Sequence, residues 1–283
     1  MILVTGATGT TGSIVLRILA EKGARARGMS RTPDRMPTGV EAVEGDFENP
    51  ASLRAALDGV SAVYLVSSPG PKIADHDLAL IAAAAGTGVK KVVKLSAIGT
   101  GDPGFETSSG WHLAGEEALR ASGLGWTILR PSMFASNSLA WAAQIDAGDP
   151  IPNHFGSGTN GVVDPRDIAE VAVEALLSDD HNGQTYTLTG PELLTLPDQV
   201  AHLSEALGRP IRTVDTSPDQ IRVHLQAQGM PQDAIDMIVQ GYEFVRKGGN
   251  AIVTADVERA LGRPPRTFKT WAEDHRALFT RTP

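Results

Sequence analysis

Apolar residues run through the first half of the chain in short blocks that alternate between two periods. β-rich runs occur at 2–7 (ILVTGA), 24–30 (ARARGMS), 40–47 (VEAVEGDF), 62–68 (AVYLVSS), 90–97 (KKVVKLSA) and 125–131 (GWTILRP). Between them, 12–23, 50–59, 76–88 and 113–123 carry apolar residues at helical spacing and stop at glycine. Strand–helix alternation of this kind predicts an α/β fold, a parallel sheet with helices on both faces.

Past residue 135 the pattern loosens. An amphipathic helix is predicted over 164–179 and a strand over 184–190. From 191 the character changes to mainly helical, which sets a boundary between a region 1–190 and a smaller region 191–283. Residues 196–208 read as a helix, and Ser217-x-x-Gln220 is a capping box opening the next one. A third helix places Ile235, Ile238, Tyr242 and Val245 on one face before Gly248 and Gly249 stop it. Two helices joined by "GMP" form a hairpin that either covers a pocket or packs as an appendage.

Charge and composition narrow the classes. The chain of 283 residues carries 25 basic and 33 acidic residues, a net charge of −8, which argues against binding a nucleic-acid backbone. No apolar run reaches the length of a membrane span. With no cysteine, there is no disulfide framework, thiolate metal site or Cys nucleophile. The seven histidines are scattered, and Asp75-His76-Asp77 reads as an exposed helix start, so no metal is assigned. The first strand begins at residue 2 and leaves no room for a leader, so a cytoplasmic location is expected.

The strongest chemical signal is "TGATGTTGS", with Gly6, Gly9 and Gly12 directly after a strand and before a helix. Glycine there permits a tight turn, close approach of a pyrophosphate and packing of helix on strand. The helix N-terminus then offers N–H groups and a positive dipole end to the phosphates. Gly6, Thr8, Gly9, Thr10, Thr11 and Gly12 are therefore the expected dinucleotide cradle. At the end of the second strand, "SRTPDRM" supplies Ser30 and Arg31, with Arg35 a turn further on, where a carboxylate would otherwise meet a free ribose hydroxyl. A guanidinium suits a 2′-phosphate, so NADPH is the expected cofactor; the alternative is a solvated loop arginine. Asp46 and Phe47, ending the third strand, either contact the adenine or form a turn.

Together "TGATGTTGS", "SRTPDRM", "EGDF", "SGLGWTILRPSMFASN" and "GRPPRTFKTWAEDH" resemble the NmrA-like atypical short-chain dehydrogenase/reductases over nearly the whole chain. That group is similar to type 2 quinone reductases, isoflavone-type reductases and actinobacterial tailoring ketoreductases, some of them in antibiotic biosynthesis. The resemblance implies a Rossmann-type doubly wound sheet over 1–190, with 135–161 contributing to a substrate pocket. It also implies a substrate-binding or lid region over 191–283. The isoflavone-type reductases carry a catalytic Lys at the position that aligns with His112. Quinone-reductase-like members resemble this chain more closely, with His there and an acid matching Glu116.

Helical spacing puts His112 and Glu116 on one face. His112 is a site residue or a capping one, and Glu116 supports the helix or orients His112. Ser67, Ser68, Pro69 and Ser96 lie at carboxyl ends of strands, where the nicotinamide wall is expected. Ser96 is either catalytic, with His112, or a strand-end hydrogen-bonder. Trp111, Phe134 and Trp141 line an aromatic pocket or pack in a core. Asn137 is a candidate polar contact at the pocket mouth, and Tyr242 lies on the hairpin.

What is missing shapes the chemistry. None of Tyr64, Tyr186 and Tyr242 has Lys four residues on, so the usual Tyr-x-x-x-Lys acid pair is absent. An ordinary ketone becomes a strongly basic alkoxide on hydride delivery and needs such an acid. A quinone, or a carbonyl beside a phenol, needs less help. The expected function is NADPH-dependent reduction of a quinone or polycyclic aromatic ketone by a monomer or homodimer. The alternative is a dinucleotide-binding redox sensor acting through a protein partner. An isomerase or epimerase ranks third, for lack of a strong acid/base residue.

Overall fold

A computed structural model describes residues 1–36, 39–68, 70–103 and 110–280, with Arg35 described through its backbone alone. The chain opens with β1 (Ile2–Val4), α1 (Thr10–Glu21), β2 (Ala26–Ser30), β3 (Glu41–Glu44) and α2 (Pro50–Ala56). Next come β4 (Ala62–Leu65), α3 (Ile73–Ala85), β5 (Lys91–Leu95), α4 (Leu113–Ala121) and β6 (Gly125–Pro131). The middle of the chain forms α5 (Ala142–Ala147), β7 (Ile151–Asn153), α6 (Pro165–Leu177), β8 (Gln184–Leu188) and α7 (Leu196–Leu207). The remainder is β9 (Thr213–Asp215), α8 (Pro218–Ala227), α9 (Gln232–Arg246), α10 (Asp256–Leu261) and α11 (Phe268–Asp274).

Among the described residues, seven strands form one parallel sheet in the order β3-β2-β1-β4-β5-β6-β8. The order reverses direction at β1, the switch point at which α/β sheets bind ligands. The parallel sheet expected from the alternation, and the doubly wound order implied by the resemblance, are therefore present.

The chain divides into two compact units. The first comprises Met1–Pro131, Pro165–Leu188 and Asp256–Arg263. Its core joins Leu3, Val63 and Val92 of the sheet to Leu53 of α2, Leu80 of α3 and Leu119 of α4. Each such fully buried aliphatic side chain contributes about 1.5–3 kcal/mol. Residues i and i+2 of a strand share a face, so Lys94 points to the same side as Val92, into the layer of α3 and α4. α10 joins this unit through Asp256, which accepts a hydrogen bond from the Thr187 N–H at 2.7 Å, and through Arg263, paired with Asp167 of α6 at 2.7 Å.

The second unit comprises Ser132–Asp164, Thr189–Ala255 and Pro264–Pro283. β7 and β9 form a short parallel ladder. Its core includes Ile145, Ile151, Leu203, Phe268, Trp271 and Phe279. The expected hairpin is α8 and α9, closed over Ile221, Ile235 and Val239, and the Ser217/Gln220 capping box opens α8. α11 is followed by a 3-10 turn at Arg276–Phe279. Among the described residues no helix is long and apolar enough to cross a membrane.

Candidate active site

The turn from β1 into α1 shows why glycine stands at its three positions. Gly6 sits at φ +57, and a Cβ there would meet Val66 at 3.0 Å. A Cβ on Gly12 would fall 2.2 Å from the Gly6 carbonyl oxygen, so only glycine lets α1 start this close to the strand. Thr5 ties the end of β1 to that of β4, its hydroxyl donating to Val66 O at 2.9 Å and accepting from Val66 N–H at 2.7 Å. Gly9 is the N-cap of α1 and brings no side-chain cap, and the first turn holds no acidic residue. A twelve-residue helix thus presents its positive end and N–H donors at an exposed Thr8-Gly9-Thr10 segment, the surroundings that suit a phosphate. The side chain of Thr11 departs from its expected place. It is buried, and its hydroxyl receives a hydrogen bond from Tyr64 Oη at 3.1 Å.

At the end of β2, Ser30 Oγ accepts from the Thr32 N–H at 3.0 Å, and Arg31 is exposed. The side chain of Arg35 and all of Pro69 lie outside the described residues. Asp46 forms a turn: its Oδ1 accepts from the Glu48 N–H at 3.0 Å. Phe47 is half-buried and stacks on His76 of α3 with ring centroids 4.9 Å apart.

The reading of Asp75-His76-Asp77 as an exposed start needs correction. α3 begins at Ile73, one turn earlier than its apolar spacing suggests, which carries Asp77 into the interior at 0% exposure. Asp77 Oδ1 accepts from Ser67 Oγ at 2.7 Å, and Oδ2 pairs with Lys94 Nζ at 2.6 Å. Lys94 in turn lies 3.2 Å from His112 Nδ1 and donates to the Leu95 carbonyl at 3.2 Å. Ser68 beside this group is exposed.

Glu116 builds a second cluster one turn into α4. Fully buried, it accepts from Ser96 Oγ at 2.6 Å, from Arg130 Nε at 2.9 Å and from Arg120 at 2.9 Å. Arg130 reaches its other oxygen at 2.7 Å. The hydrogen bonds of Glu116 thus go to Ser96, Arg120 and Arg130, while His112 takes its own from Lys94. Of the two roles expected for Glu116, these bonds fit support of the helix and not a direct hold on His112. Ser96 is 4% exposed, and its hydroxyl is committed to Glu116, with Thr100 Oγ1 at 3.2 Å.

These surroundings set the charges. Burial, then the Lys94 ammonium, lower the His112 pKa from 6.5 to about 3, against a smaller opposing pull from Glu116. The imidazole is therefore neutral through the physiological range. Burial pushes Glu116 up, but hydrogen bonds from Arg130 and Ser96 and the charges of Arg130 and Arg120 hold it below its ordinary value. Arg130 is raised, chiefly by its hydrogen bond to Glu116.

Of the residues expected at a substrate pocket, half-buried Trp111 belongs to the first unit, in a 3-10 turn at Gly110–His112. Phe134, Asn137 and Tyr242 belong to the second. Phe134 caps a 3-10 turn whose exposed Asn137 donates its N–H to the Phe134 carbonyl at 3.0 Å. Tyr242 stacks on His154 at 5.0 Å and meets Phe155 edge-on at 5.3 Å. Trp141 packs against the core of that unit. Sequence reasoning missed Lys94, Asp77 and Arg130. The signal for Lys94 was a charge set between the apolar residues of the strand "KVVKL".

A sequence family described as NAD(P)H-binding matches residues 6–179. A (4-alkanoyl-5-oxo-2,5-dihydrofuran-3-yl)methyl phosphate reductase of Streptomyces griseus subsp. griseus is 40% identical over 283 residues, 99% of each chain. An NAD(P)H azoreductase of Xenophilus azovorans is 35% identical over 283 residues, again 99% of each chain. The crystal structure of an NADPH-dependent quinone oxidoreductase of Escherichia coli complexed with NADPH has a TM-score of 0.84 at 25% identity, covering 97% of this chain and 99% of that one. The glycine turn, the switch-point sheet and these full-length similarities converge: the chain belongs to the NAD(P)H-binding family.

Proposed function

We propose that this chain is an NADPH-dependent reductase of conjugated acceptors, with a quinone or polycyclic aromatic ketone as substrate. That it is an NAD(P)H-dependent oxidoreductase follows from its family and from relatives named as reductases over the whole chain. The cofactor suits the residues present: a helix start without a side-chain cap, a glycine turn that tolerates no Cβ at Gly12, and exposed Arg31 at the end of β2. Gly6, Thr8, Gly9, Thr10 and Gly12 would hold the pyrophosphate, and Arg31 the 2′-phosphate. When bound, NADPH supplies two electrons as hydride.

The substrate class rests on one observation above all. His112, which stands where the isoflavone-type reductases carry a catalytic Lys, is held neutral beside Lys94. A neutral imidazole donates a hydrogen bond and stabilises a developing negative charge, but it is a poor source of a whole proton. Such a site suits acceptors whose reduced form is a delocalised, weakly basic anion that takes its proton from water. The acyl-dihydrofuranone, azo and quinone substrates in the relatives' names are all conjugated acceptors. Ser96 and Glu116 serve by tying α4 to the ends of β5 and β6.

A regulatory, non-catalytic role is the weaker reading, because the full-length relatives are named for reductions. The test is consumption of NADPH against a benzoquinone, a naphthoquinone, an anthraquinone-type polyketide and a simple aryl ketone. Turnover of the quinonoid compounds, with the aryl ketone slower, supports the proposal. Tight NADPH binding with no turnover of any acceptor removes it.

A further inference from the structure

The Asp77–Lys94 ion pair is enclosed within the first unit, its side chains 0% and 1% exposed. Withdrawing two charges from water is costly, and their attraction often does no more than offset this. Stability alone therefore gives the pair little reason to exist. The surroundings are nonetheless built for it. Ser67 holds one carboxylate oxygen at 2.7 Å. α4 carries Gly115 against the other, where a Cβ would fall 2.4 Å from Asp77 Oδ2.

The outlet of this pair is His112. An ammonium has three donors and no acceptor. Lys94 Nζ meets Asp77 Oδ2 at 2.6 Å, the Leu95 carbonyl at 3.2 Å and His112 Nδ1 at 3.2 Å. Nδ1 must therefore accept, which leaves the ring proton on Nε2. Among the described residues, the charged groups around the imidazole are Lys94 from β5, Glu116 from α4 and, paired with Lys94, Asp77 from α3.

We infer that Lys94, anchored by Asp77, is a positioning residue that locks His112 as the Nε2–H tautomer, so that this side chain offers the substrate one hydrogen-bond donor. The inference rests on the reductase reading of the site and deepens it. Lys94 selects against acceptors that require a transferable proton, and so sets the preference for quinonoid over simple carbonyl compounds.

The test is long-range proton–nitrogen NMR of protein labelled with ¹⁵N-histidine, with His112 assigned through His112→Gln. The Lys94→Met variant is compared with Asp77→Asn/Lys94→Met, which removes both charges and leaves no unpaired buried ion. In the unaltered protein, His112 is expected to show a bare Nδ1 and a protonated Nε2, with no titration near neutral pH. In the Lys94 variants the tautomer preference should fall from about tenfold or more, the worth of one hydrogen bond, to near parity, and titration should move upward. An unchanged tautomer and titration without Lys94 overturn the inference. The spectra need no turnover: a tautomer that responds to Lys94 in a protein that reduces nothing would defeat the reductase reading alone.

Discussion

Lys94 Nζ stands 3.2 Å from His112 Nδ1, so the imidazole faces a cation that is itself paired with the carboxylate of Asp77. A histidine backed directly by a carboxylate is drawn towards its charged form; this one is driven away from it. His112→Ala is expected to lower kcat/KM by roughly a hundredfold for an aryl ketone, as when a single oxyanion donor is lost. For a quinone the loss should be closer to about tenfold. His112→Gln keeps an N–H donor and should retain more activity than alanine. Steady-state kinetics on both acceptors checks the ranking.

Arg31 is exposed at the end of β2, where a 2′-phosphate is the group it would meet. Arg31→Ala should weaken NADPH by about 10- to 100-fold, the worth of one or two charge-assisted hydrogen bonds. NADH affinity should hardly change. Fluorescence titration with both dinucleotides gives the ratio directly.

Glu116 and His112 make the fold sensitive to acid in the same direction. The folded-state pKa of Glu116 lies below its ordinary value, so its contribution is present above the ordinary carboxylate range and is lost as pH falls through the folded value. His112 falls from 6.5 to about 3 on folding, so below pH 6.5 the unfolded chain binds the proton first and stability declines towards pH 3. His112→Gln should flatten the stability curve between those values. Glu116→Gln should cost on the order of 3 kcal/mol at neutral pH, because Arg130 and Arg120 lose a buried partner. Urea unfolding at several pH values measures both.

The parallel sheet and the glycine turn were legible because their signals are local: alternating periods, and three glycines at the junction of one strand and one helix. The α8–α9 hairpin was legible for the same reason, through its capping box and apolar face. The Asp77–Lys94–His112 relay joins α3, β5 and the start of α4, and no spacing along the chain encodes that contact. Asp77 looked exposed in "ADHDLAL" because α3 starts a turn before the apolar spacing becomes regular. The β7–β9 ladder and α10 also went unseen. The ladder strands are three residues each, and α10 buries only Val257 among its own residues and is held by Asp256 and by Arg263 just beyond it.

The most direct test of a neutral histidine at this site is the pH dependence of kcat/KM for a quinone under limiting acceptor and saturating NADPH. With His112 uncharged down to about pH 3, the profile should be level from acidic to mildly alkaline pH wherever the fold persists, and His112→Gln should leave its shape unchanged. A profile that falls as pH rises through about 6.5, the ordinary imidazole value, and that loses this step in His112→Gln, would make His112 a charged proton donor and contradict the account.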